Sequence, residues 1–371
     1  MKESIIVYGL KNVVGGTENY LLAMQEQLHN RYRFDFIIEK CDCIHESKIK
    51  KNDGCISYIS GKKPLKKFYK DLGEILRRKK QYSSILYINV NDITIEVLCC
   101  LIIGKIYRYK IITHSHNALQ TPIDSLYARL RHSIVERIGR KLMNQHKIVR
   151  LAVSERAGMY LYKKNNFKTV SPGIDAKKFI PNPIERNEMK AKLLINQKKI
   201  IGFVGRLVEV KNPIFVLEVF SEIVKIQDNV CLIIVGDGLL LDEMKAFTVK
   251  QGIQNKVLFI GESNEVNKYL QCFDIMLSPS LSEGLSLSAL EAQASGIPII
   301  CAEGNFPPEV KIGPLIHFIS LGDKKGWIKR SLELLDKDNF SERMVWYQIF
   351  CSSKYELRNA VGGLKEIFET K

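Results

Sequence analysis

Short β-branched runs separated by helix-length segments recur along the whole chain, and this alternation constrains the fold more than any other feature. The runs read as strands over residues 4–8, 34–38, 85–88, 110–113 and 148–153. After Ser171-Pro172-Gly173 and Pro181-Asn182-Pro183 interrupt regular structure, they resume over 200–204, 230–235, 256–259, 275–277 and 298–301. Strands that alternate with helices predict parallel sheets covered on both faces, an α/β fold. A chain of 371 residues is too long for one ordinary core, so two doubly wound lobes are expected. Ligands of such sheets bind in the crevice beyond the carboxyl ends of the strands. The expected division is residues 1–172, 173–345, and a helical segment 346–371 that crosses back to the first lobe.

With 46% hydrophobic and 26% charged residues the chain can build ordered cores, which excludes extensive disorder. The N-terminus begins Met1-Lys2-Glu3-Ser4, and its apolar run meets glycine at Gly9, too soon for a secretion signal, so a cytoplasmic chain is expected. The most apolar stretch, 97–106, is about half the length a bilayer requires and reads as a buried helix. Nine cysteines are scattered without a C-x-x-C pair and read as reduced, mostly buried thiols. Charge is more telling. Residues 1–172 hold 31 Lys+Arg against 15 Asp+Glu, whereas the remainder holds 25 of each, so the entire excess of +16 sits in the first half. Much of it lies in 48–80, where Lys62-Lys63, Lys66-Lys67 and Arg77-Arg78-Lys79-Lys80 recur on an expected helix. One-sided charge of this kind suits an anionic membrane surface or a nucleic acid, or it is simply a solvated face. No aromatic-rich basic motif of the RNA-binding type accompanies it, which disfavours nucleic acid.

The densest chemical signal runs from Ser282-Glu283-Gly284-Leu285-Ser286 to Glu291, preceded by a strand and followed by Ser295-Gly296-Ile297-Pro298. Strand, turn and helix predict a helix starting at the glycine, with free N–H groups forming an anion site and Glu291 two turns along from Glu283. Carboxylates so placed are strong acceptors for sugar hydroxyls. A second signal is Gly202-Phe203-Val204-Gly205-Arg206, with Lys211-Asn212-Pro213 opening the next helix. A guanidinium fork and an ammonium at one strand mouth suit a diphosphate. Gly15-Gly16-Thr17 permits close backbone approach to a ligand. Thr113-His114-Ser115-His116-Asn117 places two histidines at a strand end. They lack a nearby carboxylate or cysteine for a metal site, and a structural pair is the bland alternative. Asp336-Lys337-Asp338 falls at a charged helix end and is assigned no metal.

Taken with their spacing, these motifs resemble the retaining glycosyltransferase family 4, the group 1 type of bacterial polysaccharide synthesis. Its GT-B members carry two glutamates separated by seven residues, as Glu283 and Glu291 are. The resemblance implies a GT-B fold, two Rossmann-like domains across a cleft, with the acceptor on the first and the nucleotide-sugar on the second. It further implies that Glu291 binds the ribose hydroxyls, while Glu283 and the backbone of Gly284, Leu285 and Ser286 hold the transferred sugar and its phosphate. Arg206 and Lys211, beside Gly205, would stabilise the departing nucleoside diphosphate. Gly15 and Gly16 match the N-terminal glycine loop, and His116 the histidine that contacts the donor sugar, with His114 as second choice. Val235-Gly236-Asp237-Gly238 and Phe259-Ile260-Gly261-Glu262 match βα turns, with Gly261 and Glu262 beside the base. Members usually carry an aromatic and then a glycine after the first glycine; Leu285 and Ser286 depart from that pattern, which bears on the donor sugar.

The activity so implied is metal-independent hexosyl transfer from a nucleotide-sugar, expected to be a UDP-sugar, with no cofactor. The expected acceptor is a lipid-linked saccharide or polysaccharide, met by a peripheral enzyme on the inner face of the cell membrane. Epimerases and phosphorylases share the architecture; the glutamate pair with Arg206 and Lys211 favours transferase over both.

Overall fold

The computed structural model describes residues 2–13, 15–39, 42–59, 65–116, 126–196, 198–337 and 340–370. It forms two compact units, Met1–Gly173 together with Leu357–Lys371, and Ile174–Glu356. Lys62, Lys63, Asn117 and Asp338 of the motifs above lie outside the described residues.

The first unit is a seven-stranded parallel sheet of β1 (Glu3–Tyr8), β2 (Tyr32–Ile38), β3 (Cys55–Tyr58), β4 (Ser83–Val90), β5 (Lys110–Ser115), β6 (Ile148–Ala152) and β7 (Lys168–Thr169). Its order is β3-β2-β1-β4-β5-β6-β7. Because side chains alternate along a strand, β1 sends Ile5 and Val7 into one core and Ile6 and Tyr8 into the other. The second of these cores is covered by helix Leu65–Lys79, whose Phe68, Leu72 and Leu76 recur every four residues and point inward. Lys66, Lys67 and Lys70 point outward. Not all of the basic run is free surface charge: Lys79 meets buried Asp35 at 3.2 Å, Arg78 pairs with Glu74, and Lys80 donates to the Arg108 carbonyl.

The first core is closed by helix Leu357–Glu369, through Leu357, Val361, Leu364, Ile367 and Phe368. The segment 346–371 therefore divides. Residues up to Glu356 stay with the second unit, because helix Arg343–Cys351 is fixed there by fully buried Arg343, which donates to the carbonyls of Leu270, Gln271 and Phe273.

The second unit is a six-stranded parallel sheet of β8 (Lys199–Val204), β9 (Val230–Val235), β10 (Val257–Gly261), β11 (Ile275–Ser278), β12 (Ile299–Ala302) and β13 (Ile316–Ile319), in the order β10-β9-β8-β11-β12-β13. The break at Pro181-Asn182-Pro183 is a helix start: Asn182 accepts from the N–H groups of Ile184 and Glu185 and caps helix Pro183–Lys192. The stretch 97–106 lies in helix Ile95–Ile106, buried at Val97, Cys99, Cys100, Leu101 and Ile103 but exposed at Ile102 and Ile106. The described cysteines are free thiols, mostly buried, and among the described residues no helix is long and apolar enough to cross a membrane.

Candidate functional site

In each sheet the strand order reverses once, between β1 and β4 and between β8 and β11. That reversal opens a crevice at the carboxyl ends of the strands, the place where such sheets bind ligands. In the second unit the candidate residues gather on the loops there: Arg206 and Lys211 follow β8, Gly261 and Glu262 end and follow β10, and Glu283 follows β11. The Leu281 N–H donates to the Val210 carbonyl at 2.8 Å, which ties the loops of β8 and β11 across the reversal. Lys211 Nζ lies 2.5 Å from Glu283 Oε1, and the Glu283 N–H donates to the Asn305 carbonyl at 2.9 Å. An ammonium and a carboxylate are thereby held side by side at the strand mouth. Arg206, on the same loop after β8, is exposed and lines with Val208, Asp237, Gly238 and Asp242 a cavity of about 510 Å³. Its exposed guanidinium presents a planar fork of donors that suits an incoming anion.

The turn after β9 is packed onto the turn after β8. Gly205 N–H donates to Val235, and Leu207 N–H to Asp237, at 3.0 and 2.8 Å. Gly236 has φ +142°, and a Cβ there would stand 1.9 Å from the Gly205 carbonyl oxygen, so only glycine permits the approach. Gly261 accepts from Gly236 N–H at 2.8 Å, continuing the zipper to β10. Glu262 is exposed.

The glutamate motif differs from the expected single helix. The helix spans Leu287–Ala294, not from Gly284, because Ser286 at φ +65° turns the backbone out of helical geometry and sits at the cap. Glu283, Gly284, Leu285 and Ser286 form the loop before it, and Glu291 stands in its second turn. Thus the two carboxylates do not share one helix face. Burial pushes the Glu291 carboxyl up to about 7, against the opposing pull of Lys178. Lys178, in the turn Ala176–Phe179, belongs to no recognisable motif; its ammonium pairs with Asp175 at 3.6 Å and acts on Glu291 only through its charge.

In the first unit, helix Gly16–Leu28 begins in the glycine loop, with Gly15 at its cap. At the β1–β4 reversal, Gly9 takes φ +101°, and a Cβ there would lie 2.6 Å from the Asn89 carbonyl oxygen. The two histidines part in role. His114, still within β5, is fully buried; its Nδ1 hydrogen-bonds the Tyr87 hydroxyl, with Tyr20 Oη at 3.5 Å. Burial, then neighbouring His116, holds its pKa well below the ordinary value. His116 lies one residue beyond β5 and is only half-buried, its ring 5.1 Å from Tyr20 and 4.3 Å from His114. Burial lowers it to about 3, so both imidazoles are neutral hydrogen-bonding groups at pH 7. Tyr20, one turn into the glycine-loop helix, joins that loop to the histidines, a contact that residue spacing did not reveal. Among the described residues no three His, Cys, Asp or Glu side chains are placed to hold a metal ion.

Comparison with known proteins falls on the same elements. Residues 185–346 match the family model for glycosyl transferases, group 1. This segment contains Arg206, Lys211, Glu283 and Glu291. The protein EpsF of Bacillus subtilis (strain 168), a glycosyltransferase by its name, is 26% identical over 299 residues, covering 78% of this chain and 76% of its own. The Escherichia coli UDP-Gal:alpha-D-GlcNAc-diphosphoundecaprenol alpha-1,3-galactosyltransferase is 34% identical over 139 residues, 36% of this chain and 35% of that protein. Among solved structures, Anabaena Alr3699/HepE in complex with UDP and glucose superposes with a TM-score of 0.82 over 100% of both chains at 14% identity. WaaG, a glycosyltransferase involved in lipopolysaccharide biosynthesis, gives 0.75 over 99% of this chain and 100% of its own, also at 14%. At such identity the likeness carries the fold, which is GT-B: two α/β units, each doubly wound.

Proposed function

We propose that this chain is a retaining, metal-independent glycosyltransferase that moves a hexose or N-acetylhexosamine from a UDP-sugar to a lipid-linked or polysaccharide acceptor in cell-surface polysaccharide synthesis. The observation that carries this reading is the constellation at the β8–β11 reversal, where Arg206, the Lys211–Glu283 pair and Glu291 stand on loops and a helix of one unit. Two cations at a strand mouth suit a diphosphate, and two carboxylates suit sugar and ribose hydroxyls. The segment matched by the family model holds all four. In support of the donor, Alr3699/HepE was crystallised with UDP and glucose; in support of the acceptor, the name of the Escherichia coli relative specifies a diphosphoundecaprenol substrate.

In this reading the acceptor hydroxyl attacks the anomeric carbon on the face from which the diphosphate departs, and a departing phosphate oxygen takes the proton. Arg206, Lys211 and the free N–H groups at the start of helix Leu287–Ala294 oppose the charge that grows on the leaving group, which is the largest contribution to catalysis in sites of this kind. His116, neutral, can donate or accept a hydrogen bond at the end of β5. The excess positive charge of residues 1–172 would hold the enzyme on the inner face of an anionic membrane beside its acceptor. A thermal-shift and transfer screen across UDP-, GDP- and ADP-sugars tests the proposal. One UDP-sugar should raise Tm and be turned over equally with and without EDTA. Stabilisation by no nucleotide-sugar would overturn it, and loss of turnover in EDTA would overturn the metal-independent mechanism.

A further inference from the structure

Helix Leu126–Met143 is amphipathic in the reverse sense to a core helix. Its inner side is fixed largely by polar and small residues, with Met143 buried in the core at its end: His132 Nε2 meets Asp92 at 3.1 Å, Gly139 admits the Ile93 side chain, and Arg140 Nε donates to the Leu161 carbonyl at 3.1 Å. Its outer side carries Leu130, Ile134 and Ile138, respectively 59%, 61% and 45% exposed. Their spacing of four places all three on one stripe. Arg137 and Lys141 fall on the same stripe and Arg131 on its flank, all exposed. The one acid of the helix, Glu136, is engaged by Arg140. Packed beside it, helix Ile95–Ile106 exposes Ile102 and Ile106, with Lys105 between them. Scattered exposed hydrophobes need no explanation, but a ridge of three on one helix face does.

We propose that this ridge is the surface by which the chain docks on an anionic lipid bilayer, Leu130, Ile134 and Ile138 entering the acyl boundary while Arg131, Arg137 and Lys141 reach phosphate headgroups. Charge decides the occupant. A face bearing three cations and no free acid repels a second copy of itself, and it sits in the half of the chain that holds the whole excess of +16. An anionic interface satisfies both halves of the pattern at once, burying the aliphatic ridge and leaving long basic side chains at headgroup level. The inference deepens the membrane part of the proposed function by naming the contact surface, and its readouts need no transferase activity. It also shifts the emphasis from the purely basic helix Leu65–Lys79, which carries no comparable apolar ridge.

The test is sedimentation of the full-length chain with phosphatidylcholine vesicles containing about a third phosphatidylglycerol. Wild type should bind, with a partition coefficient that falls as salt is raised but does not vanish, because the apolar part is unscreened. I134S/I138S should lose at least about tenfold at every salt concentration, and R137Q/K141Q should lose the preference for anionic lipid. Far-ultraviolet circular dichroism and Tm should be unchanged, since these side chains are exposed. Ile134→Trp should show a blue-shifted emission on adding vesicles that wild type lacks. Binding unaltered in I134S/I138S overturns the proposal; so does a wild-type dimer that I134S/I138S dissociates without any vesicle binding. Intact vesicle binding with no sugar transfer would instead overturn the transferase reading alone.

Discussion

At the residue scale, the sharpest consequence lies with Glu291. Its carboxyl is raised to about 7 in the folded chain, so its stabilising contribution is full below the ordinary carboxylate range and is lost as pH rises through 7. If Glu291 holds the ribose as proposed, the hydroxyls donate to its ionised form, and donor binding should strengthen across that same window, falling about tenfold per pH unit below it as one proton is displaced. Calorimetry at pH 5.5 and 8 checks this; equal affinities at both would remove Glu291 from the ribose. Glu291→Ala should weaken donor binding by about 1–3 kcal/mol, and Glu291→Gln should abolish the pH dependence. Lys211→Ala should reduce turnover by on the order of a hundredfold with a smaller change in donor affinity, since leaving-group charge is greater in the transition state than in the bound donor. Single-turnover rates at saturating donor decide it. For the histidines, His116→Ala should lower transfer with little loss of stability. His114→Ala empties a fully buried space beside Tyr87 and should cost about 2–5 kcal/mol by denaturant unfolding. The placement of Arg206, Lys211 and Glu283 at strand ends was legible in sequence, because each follows a continuously apolar run that ends in a turn. The place of Tyr20 was not, because it comes from contacts with His114 and His116 on another element that no local spacing encodes.

At the scale of elements, the strands nearest each reversal read clearly, since both faces are buried and the sequence is continuously apolar there. The outer strands β3, β7 and β13 were missed. β3 is half-exposed or exposed throughout, β7 has only two residues, and β13 reads Ile-His-Phe-Ile, too short and mixed to separate from a loop. The glutamate motif shows a different failure: helix propensity through Ser286-Leu287-Ser288 says nothing of the left-handed turn that Ser286 takes. The turn at Gly236 is the element most open to test. Gly236→Ala would place a methyl 1.9 Å from the Gly205 carbonyl oxygen at a φ that L residues avoid. The backbone strain alone costs about 1–3 kcal/mol. The loop carrying Arg206 must shift to relieve the clash, so both Tm and donor affinity should fall. A variant with wild-type Tm would mean that the turns after β8 and β9 are not zipped together.

At the scale of the molecule, two doubly wound units of α/β type follow from the alternation of strands and helices, but the path of the last residues does not. A Pro/Gly break marks one boundary, whereas the return at Glu356 is marked only by contacts: Ile174 N–H donates to the Tyr355 carbonyl at 2.8 Å, and the next turn of chain enters the other core. Helix Leu357–Glu369 lies far in sequence from β1, β2 and β4 yet covers them, with Phe368 in edge contact with Tyr32 and Tyr87 at centroid distances of 5.6 and 6.3 Å. Leu357, Val361, Leu364, Ile367 and Phe368 are all buried there. At about 1.5–3 kcal/mol for each large apolar side chain, their combined burial is comparable to the whole stability of an ordinary domain, about 5–15 kcal/mol. Deleting residues 357–371 should therefore unfold the first unit while leaving the second folded, since residues 174–356 keep their own sheet and the buried Arg343 anchor. Limited proteolysis should degrade residues 1–173 and spare a fragment near 174–356, and that fragment should retain nucleotide binding although transfer is lost. Leu364→Ala is the milder form, costing about 2–5 kcal/mol in a core position and lowering the first unit's transition without moving the second's. Resistance of residues 1–173 in the truncated chain would show that the terminal helix is an accessory to the first sheet rather than part of its core.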